Sequence, residues 1–157
     1  MDSRVHLGKF DESALVKLAQ RLSRVIAEDG VIHLRGDLGA GKTTFARALL
    51  RAFGVEARIK SPTYSLIETY VLDDLAIHHL DLYRIADPGE LEWLGLSDLA
   101  AGRHLILIEW PERAGDLLPA PDLVIHLAHA ADARDISLLA LTPMGRRWLH
   151  KLTLQSS

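Results

Sequence analysis

A mixed α/β fold, one compact domain with a mixed central sheet flanked by helices, is the architecture this chain predicts. Three observations carry the prediction. A short apolar strand at 31–35 runs through a glycine-rich turn into a helix at 43–54, the strand–turn–helix opening of an α/β sheet. The segment 64–84 divides near Asp73-Asp74 into two strand-like halves, which reads as a hairpin and brings antiparallel pairing into the sheet. HLILIEWP at 104–111 contains four consecutive aliphatic residues, the mark of a strand buried on both faces.

The elements follow in order. FDESALVKLAQRLSRVIAEDG (10–30) predicts an amphipathic helix, because Leu15, Leu18, Leu22, Val25 and Ile26 recur at helical spacing. Asp11 is its expected N-cap and Gly30 its expected stop. VIHLR (31–35) is a strand, and TTFARALLRAFG (43–54) a helix stopped by Gly54. After the hairpin, PGELEWLGLSDLAAG (88–102) predicts one or two short helices, with Pro88 suited to a first turn. Strands follow at 122–130 and 135–142, and a terminal helix at 145–154.

The 157 residues suit a single domain spanning 1–157. A chain of this length buries roughly 70% of its extended surface and needs no covalent staple. Hydrophobic residues are 48% and charged residues 25%, ordinary for a globular protein. The net charge of −3 argues against a dominant unaided grip on nucleic acid, which draws on clustered positive charge. The absence of cysteine excludes disulfides, zinc–thiolate sites and thiol chemistry. MDSRVHLGKF is too charged to be a signal peptide, and no stretch approaches the ~18 apolar residues of a membrane span. A cytoplasmic protein with no membrane partner is the expectation.

The strongest chemical signal is GDLGAGKTT, spanning Gly36, Asp37, Leu38, Gly39, Ala40, Gly41, Lys42, Thr43 and Thr44. It satisfies G-x-x-x-x-G-K-[ST] between a strand and a helix, the context a phosphate-binding loop demands. Glycines let the backbone come close to phosphate oxygens, and successive N–H groups with the following helix N-terminus form an anion cradle. Lys42 supplies a point charge to the β- and γ-phosphates, and Thr43 a hydroxyl to magnesium. The fold is therefore P-loop NTPase-like, with a nucleotide and Mg2+ as expected cofactors.

Such a loop needs a carboxylate near its magnesium, at the end of a neighbouring buried strand. LILIE (105–109) has that form and makes Glu109 the expected magnesium ligand, direct or through water, although aspartate is the usual residue there. Trp110, next in the chain, reads equally as core packing or as a ring bordering the nucleotide or a partner surface.

GDLGAGKTT, KSPTYSLIETY, HLDLYR and LIEWPERAG, in that order and spacing, resemble the bacterial TsaE (YjeE) family over nearly the whole chain. The resemblance implies an ATPase with ATP and Mg2+ as cofactors. It acts in threonylcarbamoyladenosine (t6A) modification of tRNA beside the TsaD–TsaB pair, meeting tRNA only indirectly through that complex. By position, Ser61-Pro62-Thr63 resembles the family's first switch segment, with the Thr63 hydroxyl presented to the γ-phosphate or its metal. HLDLYR resembles the second. There Asp81 orients the attacking water or sits in the outer shell of the metal, and Arg84 pairs with a carboxylate or reaches a partner. Thr63, Asp81 and Glu109 form the implied catalytic set. Arg134 falls where the family often has an arginine near the base; an exposed loop arginine is the competing reading. Some members place a threonine near the base where this chain has Leu15, so no role passes to it.

His78 and His79 with Asp81 suggest a metal site at first glance, but strand alternation sends the two histidines to opposite faces. Two other functions fit a P-loop. A small-molecule kinase would add an arginine-bearing lid, and Arg103 and Arg113 form no obvious one. A non-catalytic nucleotide-dependent interaction module would not need Thr43, Glu109, Asp81 and Thr63 together. No residue reads as a transition-state arginine, a group worth roughly 10³–10⁵ in rate. Turnover is therefore expected to be slow alone and stimulated by partners.

Overall fold

The computed structural model describes residues 3–26, 29–60, 62, 66–85, 87, 89 and 103–154. Among them seven strands form one mixed sheet: β1 (Ser3–Phe10), β2 (Gly30–Arg35), β3 (Ile67–Leu72), β4 (Leu75–Asp81), β5 (Arg103–Glu109), β6 (Leu123–Ala130) and β7 (Ala133–Ala140). Their order is β1-β7-β6-β2-β5-β4-β3. The predicted mixture of pairings is what forms. β2 runs parallel to β5 and β6, and β4 parallel to β5, while β1–β7, β6–β7 and β3–β4 are antiparallel. Helices α1 (Glu12–Val25), α2 (Lys42–Phe53) and α3 (Pro143–Leu154) and a short 3₁₀ helix at Pro111–Leu117 complete the described elements.

The amphipathic helices bury their apolar stripes together with one face of the sheet. Leu18, Leu22, Phe45, Leu49 and Trp148 belong to one core cluster with Ile32, Leu34, Leu105, Leu107 and Ile125. Phe45, Leu49 and Leu50 are fully buried, so α2 is anchored along its length and its N-terminal end is a fixed platform. A second cluster gathers Leu80, Leu82, Ile106, Ile108 and Ala114. β5 contributes to both, as expected of a strand buried on both faces.

Asp11 caps α1 as expected, its Oδ1 accepting the Ala14 N–H at 2.8 Å. Gly30 does not stop that helix. α1 ends at Val25, with the Ile26 N–H bonded to the Leu22 carbonyl, and Gly30 opens β2. Glycine is needed there for packing: a Cβ would lie 2.2 Å from the Trp148 ring. Gly54 closes α2 in the left-handed conformation, φ 111°, as expected. The hairpin turns at Asp73 (φ 37°).

Three boundaries differ from expectation. β5 stops at Glu109 rather than running to 111, because Trp110 turns into the left-handed region (φ 59°, ψ 48°) and Pro111, which has no N–H for the ladder, starts the 3₁₀ helix. β7 begins at Ala133, which places Arg134 inside a strand. α3 begins at Pro143, a residue suited to a first helical turn. β1 was not expected. Its alternation turns Val5 and Leu7 to the core while Arg4 and His6 stay exposed. Apart from Gly89, the helices expected over 88–102 fall outside the described residues, as do Ser61 and Thr63. Among the described residues no helix is long and apolar enough to cross a membrane.

Candidate functional site

The parallel strands β2, β4 and β5 point their C-terminal ends at one rim, and the P-loop leaves β2 at that rim. Parallel α/β sheets gather ligand-binding residues at this edge because chain turns and helix N-termini converge there. A cleft of about 550 Å³ opens at the rim. Leu38, Gly39, Gly41, Lys42, Thr43 and Thr44 of the loop line it, together with Asp81, Tyr83, Arg84, Glu109, Trp110 and Arg134. A slightly larger cleft, about 590 Å³, is lined by Arg4, His33, Arg35 and His126 among others, and shares no residue with the first. Of the two, the smaller is the one where lysine, hydroxyl and carboxylates converge.

Gly41 precedes α2 in the left-handed conformation, φ 101°, and a Cβ there would meet Arg134 Nε at 2.9 Å. Glycine thus serves both the turn and the close passage of the arginine. Ala40 is buried, its N–H closing a turn on the Asp37 carbonyl at 3.0 Å, and Leu38 projects into solvent. Lys42 is buried. Its Nζ bonds the Gly36 carbonyl and lies 3.4 Å from the centroid of the Trp110 ring. Burial lowers its pKa from the ordinary value, and the charges of Glu109, Glu112, Asp81 and Asp37 oppose the shift.

Glu109 ends β5 at 1% exposure. Its Oε1 accepts the Thr43 hydroxyl at 2.7 Å, and its Oε2 accepts His79 Nε2–H at 2.6 Å. Asp81 ends β4 directly beside it, the two acids being register partners. Asp81 is 7% exposed, and its Oδ1 accepts the Tyr83 N–H at 3.0 Å. Burial pushes its carboxyl above the usual carboxylate range. The Tyr83 N–H opposes that shift, Glu109 reinforces it, and His79 and Lys42 oppose it.

Of its two readings, core packing is what forms for Trp110. Its ring packs on the second core cluster while one face meets Lys42. Tyr83 tilts against it at 5.0 Å, and the Arg113 guanidinium lies 5.3 Å from the Tyr83 ring and 5.7 Å from the Trp110 ring. A non-glycine residue in the left-handed region is costly, and such strain clusters at functional sites. Arg134 is a half-buried strand residue rather than an exposed loop arginine. It also lines a smaller hollow with Phe10, Asp11, Glu12, Leu15 and Thr44.

The structure therefore brings together the loop, Asp81, Glu109, Trp110 and Arg134. Thr63 lies outside the described residues. Sequence reasoning missed His79, Tyr83 and Arg113. The signal for His79 was available, since it sits two residues before Asp81 and strand period puts both on one face. Thr43, Glu109 and Asp81 offer oxygen donors alone, the ligand chemistry a hard divalent cation such as Mg2+ takes.

The family model described as threonylcarbamoyl adenosine biosynthesis protein TsaE matches residues 10–136. The chain belongs to the TsaE family. A protein from Haemophilus influenzae named tRNA threonylcarbamoyladenosine biosynthesis protein TsaE is 42% identical over 131 residues, covering 83% of each chain. A Bacillus subtilis protein of the same name is 35% identical over 133 residues, covering 84% of this chain and 82% of its own. A crystal structure of Bacillus subtilis YdiB superimposes with a TM-score of 0.78 at 24% identity, covering 100% of this chain and 99% of the other, which shows the shared fold.

Proposed function

We propose that this chain is an ATP-binding and ATP-hydrolysing accessory protein of tRNA t6A biosynthesis, working in the cytoplasm beside TsaD- and TsaB-like proteins and meeting tRNA through that complex. The observation that carries the ATPase reading is the Thr43–Glu109 hydrogen bond of 2.7 Å, which ties the P-loop hydroxyl to a buried strand-end carboxylate with Asp81 alongside. The family membership carries the pathway.

In this reading the N–H groups of the loop and of the first turn of α2 hold the phosphates, and Lys42 moves its ammonium from the Gly36 carbonyl onto them. Thr43 keeps donating to Glu109, and these two residues would hold the cation, Glu109 directly or through water. Magnesium, when bound, neutralises charge on the β- and γ-phosphate oxygens. Asp81 orients water at the γ-phosphate, and the Thr63 hydroxyl serves the γ-phosphate or its metal. Trp110 and Tyr83 wall the phosphates from solvent, and Arg134 borders the base end. Arg84, which lines the cleft, and Arg113, beside the Tyr83 and Trp110 rings, are where a docking partner meets the site.

The test is ATP turnover alone and with the TsaD–TsaB pair and tRNA. Turnover rises at least tenfold with the partners, and Lys42→Ala abolishes both nucleotide binding and t6A formation. Equal rates with and without partners would reject the stimulated-ATPase reading.

A further inference from the structure

Glutamate at the end of β5 poses a physical problem that aspartate does not. It has one more rotatable bond, so a carboxylate placed by its own backbone alone is less well aimed. Glu109 is also nearly sealed from water, and a buried carboxylate needs a donor on each oxygen. The Thr43 hydroxyl serves Oε1, and His79 Nε2–H serves Oε2 at 2.6 Å.

His79 is itself 0% exposed, and its Nδ1 has no partner among the described residues. The ring therefore gives up one polar contact and keeps the one to Glu109. A carboxylate only accepts, so Nε2 carries the proton. The placement follows from strand geometry. β4 and β5 run parallel with Asp81 opposite Glu109, and His79, two residues earlier, shares the Asp81 face. The switch-like strand end and the metal-facing acid are thus joined by one side chain.

We propose that His79 is a positioning residue for the metal chemistry of this site: it pins Oε2 of Glu109 so that Oε1 stays on Thr43 and the carboxylate stays aimed at the cation position. This rests on the ATPase reading above and adds a residue to it. Partners of metal ligands are worth about 10- to 100-fold in metal affinity or activity.

The experiment uses the full chain and three variants. His79→Leu removes the donor at similar volume. His79→Gln keeps an amide N–H near the Nε2 position, and His79→Asn places one near Nδ1, out of reach of Glu109. A fluorescent ATP analogue is titrated at fixed concentration with MgCl2, and again in EDTA. Steady-state ATP turnover and thermal unfolding of the nucleotide-free protein are measured alongside.

In His79→Leu and His79→Asn the magnesium midpoint rises about 10-fold or more and kcat falls by a similar factor. Metal-free nucleotide affinity holds within about twofold, and His79→Gln recovers most of the loss. A purely structural histidine would lower the unfolding temperature without moving the magnesium midpoint, and that result overturns the proposal. Equal loss in His79→Gln and His79→Asn overturns it too, and this pair decides the matter if the leucine variant does not fold. Absence of magnesium-dependent nucleotide binding in the unmodified chain would instead reject the ATPase reading, and the proposal with it.

Discussion

His78 and His79 are neighbours in the chain and both are buried, at 6% and 0% exposure, yet they belong to different parts of the protein. His79 faces the P-loop rim and holds Glu109. His78 faces the opposite way. Its Nδ1 bonds the Thr69 hydroxyl at 3.0 Å, its Nε2 bonds His104 Nδ1 at 2.9 Å, and the two imidazoles stack at 5.2 Å. Neither Thr69 nor His104 lines the P-loop cleft. The difference teaches that residue type and burial do not separate the two. The face of the strand does, because one side of β4 ends on the P-loop rim and the other on hairpin and sheet packing.

The contrast can be broken by substitution, beginning with the largest effect. Glu109→Ala removes the acid that His79 serves. It lowers kcat/KM by roughly 10²- to 10³-fold and weakens magnesium-dependent binding, read by turnover and by nucleotide titration with and without EDTA. Asp81→Ala, one strand over on the same rim, cuts kcat about 10- to 100-fold and leaves ATP affinity within a few-fold, read by single-turnover kinetics beside equilibrium binding. A matching loss of affinity would mean that Asp81 holds the cation itself.

His78→Leu should behave unlike either. It strips Thr69 and His104 of a partner and costs on the order of 1–2 kcal/mol in urea unfolding, while turnover stays within about twofold. Activity falling as far as in His79→Leu would erase the distinction between the two faces.

The smallest effect is a pH dependence away from the rim. Burial lowers the His33 pKa from 6.5 to about 4, opposed by a hydrogen bond to the Pro119 backbone and helped by Arg35. The unfolded chain then binds the proton more readily, so the stabilisation is complete above about 6.5 and is lost as pH falls toward about 4. His33→Leu flattens this acid limb by on the order of 1 kcal/mol at pH 5, screening included. His78 is shifted the same way, by burial first and His104 second, so its replacement flattens the limb further.

What could be read in advance divides along the same line. The strand–turn–helix of the P-loop, the Asp11 cap, the Gly54 stop and the Asp73 turn are written in local spacing and formed as expected, and the aliphatic run of β5 formed a buried strand that ends two residues early. Gly30 was misassigned because its reason lies 118 residues away, in the ring of Trp148. β1 carries a readable alternation, but an edge strand with exposed Arg4 and His6 has too weak an apolar pattern to announce itself. The Glu109 end of β5 was legible, and so was the face that His79 shares with Asp81, but the bond that joins His79 to Glu109 was not. A hydrogen bond between β4 and β5 depends on register across strands, and register is set by packing rather than by neighbours in sequence.

The contact between Lys42 and the Trp110 ring has a practical consequence. The chain has three tryptophans, and Trp148 is sealed in the core, where its emission should hold steady. The Trp110 indole has an ammonium 3.4 Å from its centroid. Any anion that draws that ammonium away changes the electric field on the excited ring. A change in intrinsic fluorescence on adding nucleotide, lost in Trp110→Phe, would report that movement without a label.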